Sequence, residues 1–335
     1  MRRLLILLGL LLFGGCSSKS YFEPQEIAGK VRYEGRLPAE IVDVVREGAT
    51  LRDGHVITVD GLSDVKLKDG YLFVGRGEGA IAASKECGSF LILDTKTKRE
   101  LYFKKFDRKR VAVAKIRGDI AALIFDNNEI AVLDFKRDEI LFSQKGSDIY
   151  AVDTKMAPPY FLGELILFPT LDGKILIVDY RAKRAIRSII VGTEKYFNNI
   201  IFMDVIDDRL VAATKKRVVS VNPKEINTLD VELNDVLYVK GAVYILATDG
   251  TIIMTDPDLN RLKSKKFPFA HFTGMIYGEY LYVIEKEGYV IATDHSLRIA
   301  NVFELEEPVK KYIFAAKDRL YYEDRYLKLD TDSNE

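Results

Sequence analysis

Short β-prone apolar runs alternate with polar turns along almost the whole chain. The pattern is clearest over 163–191, GELILFPTLDGKILIVDYRAKRAIRSIIV. Two apolar runs flank Asp172-Gly173, a pair that readily takes the positive φ angles of a tight hairpin. The second run closes at Asp179, a polar turn follows, and a third strand-like run covers 186–191. This unit recurs. Eight blocks align without a gap: DGHVITVD (53–60), CGSFLILD (87–94), NNEIAVLD (127–134), DGKILIVD (172–179), KKRVVSVN (215–222), DGTIIMTD (249–256), EGYVIATD (287–294) and EDRYLKLD (323–330). Their closing residues lie 34 to 45 positions apart. A period near forty with several strands per period predicts a β-propeller. The expected fold is all-β, a single eight-bladed propeller, with seven blades as the alternative.

Each repeat reads as a strand, a tight turn (Gly118, Gly163, Asp208, Gly241, Gly278 or Asp318), a second strand, and then the block. The second strands, such as 121–125 and 243–247, are continuous apolar runs, which implies burial on both faces. Fourth strands such as 184–187 and 261–266 are charged, as solvent-facing edges should be. Blade eight runs from about 309 to 329 and lacks an outermost strand. The spare run 29–35, ahead of blade one, is expected to supply it and close the ring by pairing with the last blade. Blade two is expected to open at 65–68 and turn at Asp69-Gly70. That register leaves 75–86 as an extra rim loop. Its Gly75, Gly77 and Gly79 precede no helix, so they do not read as a phosphate loop.

Composition narrows the function classes. The 335 residues carry 50 basic and 50 acidic side chains, a balance that argues against nucleic acid as a partner. Two cysteines exclude a disulfide framework. Arg2-Arg3, the apolar run 4–13 and Gly14-Gly15-Cys16-Ser17 read as a signal peptide ending in a lipobox. Cys16 is the expected lipidation site, and the anchor is the expected link to a membrane. Ser17 after the cysteine points to the bacterial outer membrane, with the domain in the periplasm. The expected division is 1–15 signal peptide, 16–26 lipidated tether, 27–331 propeller and 332–335 polar tail.

Catalytic chemistry finds little footing. His55, His271 and His295 fall in different blades without companions at ligand spacing. The aspartates closing the blocks suit turn capping through their side chains, and no Gly-x-Ser-x-Gly elbow is present. No enzyme activity, metal or cofactor is therefore expected. The candidate chemistry is recognition by loops. Arg76 and Glu78 on the blade-two loop, with Tyr196, Phe197, Phe269 and His271 on inter-blade connections, are expected to share one face and dock a protein partner.

The lipobox together with eight four-stranded repeats and blocks of the form D-G-x-Ile-x-x-x-D, as at 172–179 and 249–256, resembles the BamB-like outer-membrane lipoproteins, and more broadly the quinoprotein-like (PQQ-type) β-propellers. The resemblance covers roughly 16–330. It implies a non-catalytic scaffold of the outer-membrane β-barrel assembly machinery that binds the barrel-bearing subunit. The blade-ending Thr-Gly-aromatic pattern is present only as a loose echo at 94–103, and Trp is absent. Quinone-dependent dehydrogenases of the same superfamily hold their cofactor between a Trp and a disulfide of adjacent cysteines, and this chain has neither. The alternative is an envelope lipoprotein propeller that binds a small ligand or acts in adhesion.

Overall fold

The computed structural model describes residues 21–316 and 318–329. Cys16, the signal segment, the first part of the tether and the polar tail lie outside the described residues. Within them the chain is all β-strand apart from turns and one 3-10 turn at Glu86–Gly88. The strands pair into eight four-stranded antiparallel units, at 41–66, 71–105, 111–145, 160–190, 202–230, 233–266, 272–305 and, with one strand from the N-terminus, 313–328. We call these blades one to eight.

Burial explains the continuous apolar runs. In Ile120–Phe125, Ala121, Leu123 and Phe125 pack into a core shared with blade two, while Ala122 and Ile124 pack into one shared with blade four. In Ala242–Ala247, Val243, Ile245 and Ala247 face blade five, while Tyr244 and Leu246 face blade seven. Side chains alternate across a strand, so a strand sandwiched between two blades must be apolar at every position. Each neighbouring pair of blades, including eight and one, shares such a core. The ring is closed.

Closure comes from the N-terminus, with one refinement. The spare run divides between two blades. Gly29–Val31 pairs parallel with the outermost strand of blade seven as a fifth strand, Gly29 opposite Phe303. Only Gly35–Arg36 joins blade eight, antiparallel to Arg325–Lys328 and flanked by hydrogen bonds from Glu34 and Leu37 N–H to the Tyr326 and Asp324 carbonyls.

Blade two corrects the sequence register. Residues 61–66 are the fourth strand of blade one, and blade two opens with Tyr71–Gly77, turns at Glu78-Gly79 and continues with Ala80–Lys85. There is no inserted loop at 75–86. The glycines serve close packing instead. The first strands of blades two and three pair directly, Gly75 opposite Ala114. A Cβ on Gly75 would lie 1.8 Å from the Ala114 carbonyl oxygen, and one on Gly77 would lie 2.4 Å from that of Ile116. Gly79 turns the hairpin at φ +68°.

Candidate functional site

Antiparallel blades give the ring two distinct faces. Turns joining first to second and third to fourth strands lie on one, the hairpin face. Turns joining second to third strands and the links between blades lie on the other, the connection face. Tyr196, Phe197, Phe269 and His271 lie on links between blades, hence on the connection face. Glu78 turns the blade-two hairpin, and Arg76 ends its first strand, so both sit on the hairpin face. The expected single cluster of six residues is therefore split. Arg76 is half-buried and ion-paired with Asp60 at 2.6 Å, a structural contact within the ring, while Glu78 is exposed.

On the connection face two long links are clamped together. The link 146–159 between blades three and four meets the link 191–201 between blades four and five. The buried Asn199 side chain accepts from Asp153 N–H at 2.7 Å and donates to the Asp153 and Lys155 carbonyls at 3.1 and 3.2 Å. Phe197 N–H donates to the Ala151 carbonyl at 2.9 Å, and Ala157 N–H to that of Ile200 at 3.0 Å. This clamp holds Tyr150 and Tyr196 edge to face, centroids 5.9 Å apart, and both rings are more than half exposed. Lys195 Nζ lies 5.0 Å from the Tyr150 centroid and 5.3 Å from that of Tyr196, within cation–π range of both. Phe197, also exposed, holds φ +53°. Bulky side chains rarely adopt that region, so its persistence reflects the surrounding clamp. The sequence singled out the link and Tyr196 but not Tyr150, Lys195 or Asn199, because only the fold brings the two links together.

Below this rim the first link dips into the ring. Lys155 Nζ reaches Asp235 Oδ2 at 3.1 Å and the Thr273 carbonyl at 2.8 Å. Arg46, in the hairpin turn of blade one, donates to Asp235 Oδ1 at 2.7 Å and to the Val236 carbonyl at 2.9 Å, with its guanidinium 5.0 Å from the Phe202 ring centroid. Lys215 pairs with Asp153 at 3.2 Å, and Lys115 of blade three pairs with Glu47 of blade one. Burial alone would raise the Asp235 pKa, but Arg46 and Lys155 reverse this and hold it well below the ordinary carboxylate range. Asp43 and Asp204, half-buried with weaker cationic support, are raised by desolvation. The same burial lowers Lys155 despite Asp235. This polar hub ties blades one, six and seven to the link 146–159.

The remaining candidates are simpler. Phe269 is exposed on the link between blades six and seven. His271 is exposed, and its N–H donates at 3.0 Å to the fully buried Glu285, whose pKa burial raises. His55 hydrogen-bonds Asp53 at 2.6 Å, and His295 stacks on Tyr277 at 4.2 Å. Cys87 is exposed on the connection face at φ +68°. Among the described residues no group of three or more His, Cys, Asp or Glu side chains is arranged to hold a metal ion.

No family model matches the chain. Among solved structures it superposes on BamB from Moraxella catarrhalis with TM-score 0.67 at 18% identity, over 87% of this chain and 97% of that one. It superposes on the C-terminal WD40 domain of Sif2 with TM-score 0.68 at 11% identity, over 91% and 99%. The fold is a BamB-like β-propeller. In sequence it is 28% identical over 380 residues to the plasminogen-binding protein PgbB of Helicobacter pylori strain J99, covering 97% of this chain and 70% of the relative. The same protein from strain 26695 is 28% identical over 381 residues.

Proposed function

We propose that this chain is a non-catalytic scaffold, held at the outer membrane by a lipid on Cys16, whose connection face docks a protein partner. The observation that carries the reading is the exposed Tyr150–Tyr196 pair with Lys195, braced from beneath by Asn199. Binding energy concentrates in a few aromatic anchors, and anchors held rigid before contact lose little entropy on docking. The partner we favour is the barrel-bearing subunit of the outer-membrane β-barrel assembly machinery, the role implied by the resemblance to BamB-like lipoproteins. The test is direct binding between the purified propeller and the periplasmic domains of that subunit. Saturable binding that Tyr150→Ala and Tyr196→Ala each weaken, in variants folded by circular dichroism, supports the proposal. Unchanged binding in both variants sinks this face as the interface.

A second reading rests on the PgbB relatives, which the chain matches over 97% of its length. It is an envelope propeller that binds plasminogen. Immobilised plasminogen, tested beside the barrel-bearing subunit on the same sensor, separates the two. Saturable binding to plasminogen alone favours the adhesive reading.

A further inference from the structure

The described chain enters the propeller at one corner. Phe22 is buried between blades six and seven, edge-on to Phe267 and Tyr289 with centroids 6.1 and 5.5 Å away. From there 23–28 cover a groove of about 900 Å³ lined by Lys266, Phe269 and Asn301. Ala28 N–H then donates to the Val302 carbonyl at 2.8 Å, and the strands on blades seven and eight follow. Phe22 thus fixes the start of the described chain against blades six and seven. An extended chain spans at most ~3.5 Å per residue, so six residue steps put Cys16 within about 20 Å of Phe22.

The surface around Phe22 presents exposed aromatic and basic side chains. Phe269 occupies the third position of a turn closed by Ala270 N–H to the Phe267 carbonyl at 3.1 Å, after Pro268 and at φ +65°. Proline second and positive φ third define a type II turn, whose third position favours glycine. A phenylalanine there is strained, and its ring is exposed rather than packed. Tyr21 beside it is also exposed, and the adjoining edge strand Arg261–Lys266 exposes Arg261, Lys263 and Lys266. Glu23 and Glu26 on the covering segment, and Asp249 paired with Lys266 at 2.8 Å, offset part of that charge.

We propose that this corner rests on the bilayer that carries the anchor, with Tyr21 and Phe269 seated among the lipid headgroups and the connection-face end of the basic strand, with Lys266, nearest them. The inference rests on lipidation of Cys16, because only an anchored chain confines the corner to the membrane. Aromatic rings favour the interface, where an apolar body and a wet edge are both satisfied, and basic side chains favour anionic headgroups. The connection face then lies on the membrane side, so a partner reaching Tyr150 and Tyr196 is itself held close to the bilayer.

The experiment uses the full lipidated chain in vesicles of phosphatidylethanolamine and phosphatidylglycerol that contain a headgroup-labelled nitroxide lipid. In a Cys87→Ser background, a dye is placed at Ser264→Cys beside the corner or at Glu78→Cys on the opposite face. The expected result is several-fold stronger quenching at position 264, reduced in a Tyr21→Ser/Phe269→Ser double variant that still floats with vesicles. Equal quenching at both positions in vesicle-bound protein overturns the proposal while leaving lipidation intact. If the wild-type chain does not float with vesicles and behaves as Cys16→Ala does, the lipidation reading fails and the proposal falls with it.

Discussion

Arg46 and Asp235 meet at 2.7 Å although 189 residues separate them, joining the hairpin turn of blade one to the innermost strand of blade six. Lys155 closes on the same carboxylate from the link between blades three and four. One carboxylate thus balances two cations largely removed from water. Breaking such a group by removing one partner costs more than the group itself contributes, since charge is left buried and unpaired. Asp235→Ala is expected to destabilise the propeller by about 3 kcal/mol, read by urea unfolding. A cost below about 0.5 kcal/mol, the usual range for surface changes, would mean that water satisfies Arg46 and Lys155.

The same carboxylate sets a pH dependence. Its folded pKa is depressed, so its contribution is fully present above the unfolded value of about 3.9 and is lost as pH falls through the folded value. Asp294, held at about 2 by Ser296 and the Arg298 and Ile299 N–H groups against the effect of burial, acts in the same direction. Melting temperature is therefore expected to fall steeply below about pH 4, and Asp235→Asn should flatten that fall. A variant as acid-sensitive as wild type would assign the sensitivity to other carboxylates.

Gly75 tests the pairing of blades two and three. A Cβ there meets a backbone carbonyl, not a side chain that can turn away. Gly75→Ala is expected to cost about 3 kcal/mol or more, the upper range for overpacking, whereas Ala at Gly79 should cost less because nothing lies within 4 Å of its Cβ position. Equal melting temperatures for the two variants would contradict the close approach.

Ring closure by the N-terminus makes a graded prediction. Deleting 27–36 removes the strands on blades seven and eight, exposing two sheet edges, and should lower the melting temperature by several degrees or abolish folding. Phe22→Ala leaves both strands and removes only the wedge, so its effect should be smaller. Unchanged stability in the deletion would show that the ring closes without them.

Phe269 offers the clearest separation of stability from recognition. Phe269→Gly relieves a left-handed residue, a strain of about 1–2 kcal/mol, so its melting temperature should match or exceed that of wild type. Its contact with the membrane surface should weaken. Loss of stability on this substitution would mean that the ring packs in a way the turn geometry does not suggest.

Much of this architecture is local in origin, which is why it is legible in the residues alone. Gly173 turns the chain at φ +84°, in a connection of four residues, 170–173, rather than the expected two-residue hairpin. Asp94 and Asp256 cap turns through neighbouring N–H groups, and apolar runs such as 121–125 require a blade on either side. Those signals sufficed for the propeller, its repeat and closure from the N-terminus, though not for the division of the closing run between blades seven and eight. Which residues share a face depends instead on how the whole ring is assembled. Every antiparallel strand reverses the end at which the next turn emerges. Reading 65–68 as the start of blade two, rather than the end of the strand Gly61–Lys66, therefore moved Arg76 and Glu78 to the wrong side of the ring. The meeting of Tyr150 with Tyr196, and of Arg46 with Asp235, has no local signature at all. Each depends on where closure of the ring places segments whose own sequences require only a turn or an exposed link.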